Sequence, residues 1–367
     1  MPRFSAALLL IAVSSPLMAA ADRKPPTPDV PAEKYYKNIQ VLQGVPSTEV
    51  MPIMNFMKDS LGVKCSFCHV TNDTGRWPVE RDDKPAKGKA REMIRMMREI
   101  NRANFPGRLA VTCATCHRGS HEPASMPPLR PESAAAHGAA PSAPSDMPSV
   151  DSVLDRYTAA IGGKDAIGRI RSRRIRGTFT AADGKSHPIE ITQTASGKYR
   201  SSVAVEDGPF TIVFDGNAGS SGGPGWQNPM QPDEVDRIRA RALLFPAAGL
   251  KERFPALAVS RRESVDGRDA WLVAARDASG RRSSFWFDAE NGLLVKTIRS
   301  ERTPFGDIPE EADYADYREI DGVKVPFTIR HAAPDREDTV AAAELKQNLA
   351  VEDSLFAPAL PKSGEEK

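Results

Sequence analysis

The chain has 367 residues and a formal net charge of +2, from 50 basic and 48 acidic side chains. This length indicates two or three domains, because a single hydrophobic core stops growing at about 250 to 300 residues. The balanced charge, with no nucleic-acid motif in the sequence, excludes nucleic acid as an expected partner.

The first residues have the pattern of a secretory signal peptide. Arg3 supplies a positive start, the apolar run 6–13 follows, and small residues near Ala20 and Ala21 offer a cleavage site. The run is too short for a membrane span, and no cysteine follows it for lipid attachment. We therefore predict export of the chain to an oxidising compartment, the periplasm, as a soluble protein with residues 1–21 removed.

Two proline-rich stretches divide the rest of the chain. Both favour extended or semi-stiff conformations over packed elements. The expected order is an extended lead-in (22–32), a small domain (33–122), a Pro/Ala/Ser linker (123–149), a large domain (150–361) and a tail (362–367).

The small domain is predicted to be mainly α-helical. Apolar residues at helical spacing begin at Val50 and end before Gly62, and Pro52 requires the helix to start close by, near Thr48. A second amphipathic pattern covers residues 87–101, "KGKAREMIRMMREIN". Each helix precedes a CxxCH sequence, so one unit of helix, connector and CxxCH is used twice.

The two CxxCH sequences contain all the cysteines of the chain. They are Cys65, Cys68 and His69, and Cys113, Cys116 and His117. This spacing lets two thiols form thioethers with the vinyl groups of a haem while the adjacent imidazole reaches the iron. Redox-active disulfides, a zinc site and structural disulfides are the alternatives, and none of them explains both histidines. The sequence therefore predicts two covalently bound haem c groups, with the cysteines as attachment sites and the histidines as iron ligands.

Methionine is the expected source of the sixth iron ligands. The spare histidines are poor candidates, because His121 and His137 lie in proline-rich segments and His187 and His331 lie in the other domain. Six methionines occur in the two predicted helices, although a methionine stripe at helical spacing is also ordinary core packing. The pattern alone does not choose among them: Met51, Met54 and Met57 in the first helix, and Met93, Met96 and Met97 in the second.

Residues 33–122 resemble the cytochrome c subunit of photosynthetic reaction centres, most specifically in "MNFMKDSLGVKCSFCH" and "AREMIRMMREIN...VTCATCHRG". That family is built from repeats of helix, turn and CxxCH, and its helices usually donate a methionine to the iron. The resemblance implies Met54 as the first sixth ligand and Met93 as the second, with Met51 as the alternative to Met54. The family typically has four haem segments and is often lipid-anchored, whereas this chain has two segments and lacks the anchor cysteine.

These features predict an electron carrier rather than an enzyme. An iron with six ligands has no open position for oxygen or peroxide, so its chemistry is one-electron exchange. The expected partners are redox proteins, such as a membrane-bound reaction centre or another electron-transfer complex. The alternatives are a dihaem peroxidase-type enzyme, or a lipid- or lipoprotein-binding protein with a haem module attached.

Basic residues are in excess around the second predicted helix. Residues 79–108 contain nine Lys or Arg against five Asp or Glu. A solvated helix face explains this pattern. The functional reading is that some of these charges offset haem propionates or steer an acidic redox partner.

The large domain is predicted to be α+β, with a large curved antiparallel sheet that is apolar on one face. Alternating runs such as "VKVPFTIR" are separated by turn signals, and helices are expected near 151–171 and 231–253. The helix-Gly-Gly-helix opening, the strand rhythm and "FDGN...GW" resemble the outer-membrane lipoprotein carrier fold. This resemblance implies lipid or lipoprotein contact, and a scaffold or docking role is the alternative.

Overall fold

The computed structural model describes residues 30–70, 78–123, 147–334 and 336–358. The predicted signal peptide, the tail, His137 and most of the lead-in and the linker lie outside these residues. The described residues form two compact units. The helical unit contains those before residue 128 together with the turn Thr303–Gly306, and the sheet unit contains the others. None of the described helices combines the length and the apolar character that crossing a membrane requires.

The helical unit contains four described α-helices and two short 3₁₀ helices. The α-helices are α1 (Ala32–Tyr35), α2 (Val50–Leu61), α3 (Pro85–Asn104) and α4 (Cys113–His117). The 3₁₀ helices are Ser47–Glu49, which leads into α2, and Cys65–Phe67. Both CxxCH sequences therefore begin in tight helical turns, and α2 and α3 confirm the two predicted helices.

Helix α2 has the start and the end that its residues predict. Pro52 is its third residue, where a missing N–H has no intrahelical partner to lose. Gly62 follows the last turn with φ +65° and donates its N–H to the carbonyl of Asp59. This left-handed position favours glycine, so the helix ends there.

Helix α3 is longer than the sequence pattern predicts. It begins at Pro85, whose fixed φ suits the first helical turn, and it ends at Asn104. Its buried residues are Ile94, Met97 and Asn101, one stripe at helical spacing. The arginines of the helix are not among its buried residues: Arg91, Arg95, Arg98 and Arg102. A buried asparagine on an otherwise apolar stripe indicates that its side-chain amide has a structural role.

The sheet unit confirms the predicted α+β class. Its helices are α5 (Val150–Ala160), α6 (Gly163–Arg169), α7 (Pro232–Arg241) and α8 (Leu250–Arg253). Its strands are β1 (Ser172–Ala181), β2 (Ser186–Thr194), β3 (Tyr199–Val205), β4 (Gly208–Phe214), β5 (Gly219–Gly222), β6 (Asn228–Pro229), β7 (Ala256–Val265), β8 (Arg268–Arg276), β9 (Arg282–Asp288), β10 (Leu294–Thr303), β11 (Gly306–Ile320), β12 (Val323–Ala333) and β13 (Arg336–Gln347).

The described strands form one sheet in which consecutive strands of the chain are also sheet neighbours, except β6 and β7, which lie at opposite edges. The order is β6-β5-β4-β3-β2-β1-β13-β12-β11-β10-β9-β8-β7, and the pairings with a defined register are antiparallel. Two meanders therefore meet where β1 pairs with β13. The turn between β11 and β12 uses Asp321 (φ +51°) and Gly322 (φ +77°), the conformations that a two-residue hairpin turn requires.

The main core of the sheet unit packs one sheet face against helices. In β12 the alternation is the predicted one, because Val323, Val325 and Phe327 are buried whereas Lys324 is exposed.

The prediction of a single apolar face is incomplete. Phe285 and Phe287 belong to the main core, but Trp286 between them packs in a second, smaller cluster with Leu272 and Val295. Successive residues of a strand point to opposite faces, so the sheet is apolar on both faces around β8 to β10.

Candidate functional site

The first CxxCH sequence follows directly after α2. The N–H of His69 donates to the carbonyl of Cys65 at 3.0 Å, so the motif closes one tight turn. The Nδ1 of His69 lies 3.1 Å from the carbonyl oxygen of Val79. Because a carbonyl only accepts, Nδ1 carries the proton and Nε2 keeps its lone pair. Nε2 is the atom through which this imidazole can bind a metal.

Positive charges from the start of α3 surround this histidine. Lys87 Nζ donates to the same Val79 carbonyl at 2.7 Å, and Lys84 Nζ donates to the carbonyl of Ser66. Burial, followed by the charge of Lys87, lowers the pKa of His69 below its ordinary value. The imidazole is therefore held in the neutral form that metal coordination needs.

The second CxxCH sequence forms the five-residue helix α4. Thr112 precedes it, and its N–H donates to Oγ1 of Thr115 at 2.9 Å. The Nδ1 of His117 lies 3.0 Å from the carbonyl oxygen of Ser120. The carbonyl again places the proton on Nδ1 and leaves Nε2 free. Both motif histidines therefore have the same tautomer, and a different backbone carbonyl fixes it in each case.

All four cysteines are present as free thiols in the structure. Burial raises the pKa of Cys68 and of Cys113, so these thiols stay protonated at neutral pH. Among the described residues, no three His, Cys, Asp or Glu side chains are grouped so as to hold a metal ion. A zinc site formed by both CxxC pairs would require such a group.

Asn101 holds the segment before the second motif against α3. Its Nδ2 donates to the carbonyls of Met97 (3.0 Å) and Val111 (2.6 Å). Its Oδ1 accepts from the N–H groups of Ala110 (2.8 Å) and Val111 (2.9 Å). The role of Asn101 was not predicted, although this residue lies at helical spacing from Ile94 and Met97 on the same face of the helix.

We expect Asn101→Ala to destabilise the helical unit by about 2 to 4 kcal/mol, because it leaves buried backbone groups without partners. Asn104→Ala is the matched control. It removes the same amide from the same helix, but only one exposed bond, to the carbonyl of Ile100. That change should cost less than about 0.5 kcal/mol. Urea unfolding of both variants measures the difference, and equal losses would contradict the anchoring role.

The two motifs lie side by side. The N–H of Gly119 donates to the carbonyl of Ser60 at 2.8 Å, which joins the end of α2 to the second residue after α4. A Cβ on Gly62 would lie 2.1 Å from the carbonyl oxygen of Gly119, so the two backbones touch. Across the same region the rings of Phe67 and His121 are 5.7 Å apart between centroids. Sequence analysis treated the motifs as separate repeats and did not predict this junction.

The candidate methionines differ in exposure. Met54 and Met57 in α2 and Met93 in α3 are half-buried. Met97 is buried in the core at 5% exposure, whereas Met51 (49%) and Met96 (48%) are exposed. Met97 therefore has a packing role, and the assignment of Met54 and Met93 as ligands stays a prediction.

The residues of the helical unit fit a c-type haem. Each motif offers two free thiols and one imidazole with an available Nε2. The unit also exposes large apolar side chains, the surface that an apolar macrocycle covers: Met51, Phe67, Met96 and Leu109.

Most of the basic residues near α3 have acidic partners. Asp82 lies 2.9 Å from Arg91 and 3.0 Å from Lys87, and the Arg91 guanidinium holds the pKa of Asp82 well below its usual range. Lys89 pairs with Glu92, and Arg102 pairs with Glu99. The solvated, paired face accounts for these residues, and a role in steering a partner stays a prediction.

Three curated proteins are similar to part of the chain. Cytochrome c-554 of Chloroflexus aurantiacus is 34% identical over 90 residues, which are 23% of this chain and 20% of that protein. The photosynthetic reaction center cytochrome c subunit of Rubrivivax gelatinosus is 35% identical over 110 residues, 24% of this chain and 29% of that protein. The photosynthetic reaction center cytochrome c subunit of Roseobacter denitrificans is 30% identical over 102 residues, which are 26% of this chain and 27% of that protein. The chain thus spans less than a third of the length of these relatives.

Solved structures resemble part of the chain more remotely. A LolA superfamily protein of Nitrosomonas europaea is 12% identical, with a TM-score of 0.40 over 57% of this chain and 98% of that one. A DUF1329 family protein of Desulfovibrio piger is 12% identical, with a TM-score of 0.41 over 57% and 97%.

A family comparison covers the amino-terminal part of the chain. The model that matches is described as photosynthetic reaction centre cytochrome C subunit, and the matched residues are 8–153. They include both CxxCH sequences and the helices before them. Residues 8–153 thus match the photosynthetic reaction centre cytochrome C subunit family, the family that these motifs predicted.

Proposed function

We propose that the helical unit is an exported dihaem c-type cytochrome that carries single electrons. Haem c is attached to Cys65 and Cys68 at one site and to Cys113 and Cys116 at the other. His69 and His117 bind the two irons, and Met54 and Met93 are the sixth ligands. The observation that carries the proposal is the carbonyl bound to Nδ1 of each motif histidine, which leaves both Nε2 atoms available.

A bound c-type haem supplies reversible one-electron exchange at its iron. The residues of the chain hold the ligands and determine their properties. The carbonyls of Val79 and Ser120 fix the orientation of the two imidazoles and increase their basicity as ligands. The thioether of a methionine raises the reduction potential relative to a second imidazole. With one histidine and one methionine both bound, the iron would have no open ligand position, which favours a carrier over an enzyme.

The junction between the motifs supports exchange of electrons within the unit. The hydrogen bond from Gly119 to Ser60 and the ring contact between Phe67 and His121 hold the two attachment sites next to each other. An electron accepted at one site therefore has the other site as its neighbour.

The proposed partners are redox proteins at the periplasmic side of a membrane. Similarity to reaction centre cytochrome c subunits favours a membrane-bound reaction centre or a related electron-transfer complex as the acceptor or donor. Lipid or lipoprotein contact through the sheet unit stays a prediction. Mild crosslinking in the native membrane, followed by mass spectrometry, identifies the partner.

Expression with a cytochrome c maturation system tests the proposal. Intact mass should show two covalent haems per chain, and the absorption spectrum should be that of low-spin haem. Bare thiols or bound zinc would end the proposal. A high-spin ferric spectrum would instead favour a peroxidase-type enzyme.

Replacing a sixth ligand gives a sharper test. Met54→Ala and Met93→Ala should each remove the methionine–iron charge-transfer band of one haem and lower its potential, because the sulfur ligand is lost. Asn104→Ala, at an exposed position of the same helix, is the control for Met93 and should change neither quantity. If Met96→Ala acts in place of Met93→Ala, the second ligand lies three residues later in α3. If Met51→Ala acts in place of Met54→Ala, the ligand lies one helical turn earlier.

A further inference from the structure

The sheet unit contains a cavity of about 110 Å³ with mixed walls. One part is apolar and includes Ile191, Leu244 and Ile329. The other part is basic, because four arginines line the same space: Arg173, Arg237, Arg241 and Arg299. The haem proposal uses none of these residues.

Two of the four arginines have carboxylate partners. Arg241 lies 3.2 Å from Glu310, and Arg237 lies 3.6 Å from Glu301. Glu310 is also shared with Arg336 at 3.1 Å. Glu311, the other acidic residue of the lining, is held by Lys296 (3.0 Å) and Arg330 (3.4 Å). Both acidic side chains of the lining are therefore already paired with basic side chains of the protein.

Arg173 is a buried cation whose hydrogen bonds go to neutral groups. Only 4% of the surface of Arg173 is exposed to solvent. Nη1 donates to the carbonyl of Leu244 (2.6 Å), Nη2 donates to Oε1 of Gln347 (3.3 Å), and the guanidinium lies 5.0 Å from the ring centroid of Phe245. Its Nε is buried and has no hydrogen-bond partner among the described residues. Burial lowers the pKa of Arg173 to about 10, so the group is still charged at neutral pH.

Arg299 is in a similar situation. Both of its Nη atoms reach only the backbone carbonyl of Asp236, at 3.4 and 3.3 Å. Burial lowers its pKa from the ordinary value. Within the described part of the chain, no carboxylate lies at ion-pair distance from Arg299 or Arg173. Arg173 is a buried charge with no carboxylate of the described residues at ion-pair distance, and Arg299 is a partly buried one on which Glu310 and Asp236 act only from beyond that distance. An unpaired buried charge is costly, so an anion in the cavity would be stabilised by both arginines.

We propose that this cavity binds a small organic carboxylate, with its charged end at Arg173 and Arg299 and a short apolar tail against the aliphatic wall. The planar fork of arginine matches a carboxylate in two hydrogen bonds. The volume limits the tail, because a cavity of about 150 Å³ holds a molecule of the size of benzene. The cavity here is smaller than that, so an acid of about three or four carbons fits this space.

Calorimetric titration of the full haem-loaded chain with sodium butanoate tests the proposal. Butanamide has the same shape without the charge and should bind at least about tenfold more weakly, since charge-assisted hydrogen bonds are lost. Arg299→Gln should also weaken butanoate binding at least about tenfold. Arg176→Gln is the matched control: it removes the same charge from β1 at an exposed position paired with Glu190, and binding should be unchanged.

Several results would overturn the proposal. These are equal binding of butanoate and butanamide, undiminished butanoate binding in Arg299→Gln, and sulfate binding as tight as that of butanoate. Binding of a long-chain acid such as palmitate without butanoate would also overturn it. Arg173→Gln serves as a second variant if its thermal unfolding shows an intact sheet unit. Haem content measured on the same samples separates this outcome from any failure of the cytochrome proposal.

Discussion

Replacing Cys113 and Cys116 together by serine is expected to leave one covalent haem per chain, whereas the unaltered chain is expected to carry two. A serine hydroxyl does not form the thioether that a cysteine thiol forms, so the second site loses its attachment. The first site keeps both thiols and the His69 imidazole held by Val79. Intact mass under denaturing conditions counts the haems, because only covalent ones survive.

Ala114→Ser is the control for this experiment. It lies between the same two cysteines and changes the motif without removing a thiol or the His117 imidazole. It should keep both haems. Two haems in the double serine variant would contradict the assignment of Cys113 and Cys116 as an attachment site.

The second large effect is expected at the junction of the motifs. Gly62→Ala places a Cβ on a left-handed residue, 2.1 Å from the carbonyl oxygen of Gly119. The left-handed conformation costs alanine about 1 to 2 kcal/mol, and the overlap with backbone adds about 1 to 3 kcal/mol. We therefore expect a loss of about 2 to 5 kcal/mol in the free energy of unfolding of the helical unit.

Gly44→Ala separates the two contributions. Gly44 also lies in the helical unit with φ +76°, but a Cβ there meets nothing within 4 Å. This variant should lose only the conformational part, about 1 to 2 kcal/mol. Urea unfolding followed by haem absorption reports on the helical unit. Equal losses in both variants would show that the approach to Gly119 is unimportant.

Local pattern predicted the elements well where one physical signal dominated. The methionine-rich stripes, Pro52 and Gly62 placed α2, and the alternation around Val325 placed β12. The start of α3 was predicted too late, because Lys84 and Pro85 interrupt the apolar stripe while still favouring a helix start.

Long-range contacts and backbone hydrogen bonds could not be predicted from the sequence pattern. The acceptors of the two imidazoles are carbonyls of Val79 and Ser120, and every residue has a carbonyl, so no side-chain pattern marks them. The inclusion of Thr303–Gly306 in the helical unit has no sequence signal either. Arg173 lies within "RSRRIRG", a charged run that reads as exposed, yet it is buried.

The pairing of β1 with β13 has a consequence for the order of folding. Arg173 and Gln347 are 174 residues apart in the chain and lie opposite each other in the middle of the sheet. Such a high contact order slows folding, because the entropy of closing a long loop is lost before the pairing is gained. A chain that is synthesised from its amino terminus cannot complete this sheet until the last strand has been made. We therefore expect haem attachment to precede completion of the sheet, so that the maturation machinery acts on a chain whose second half is still unfolded.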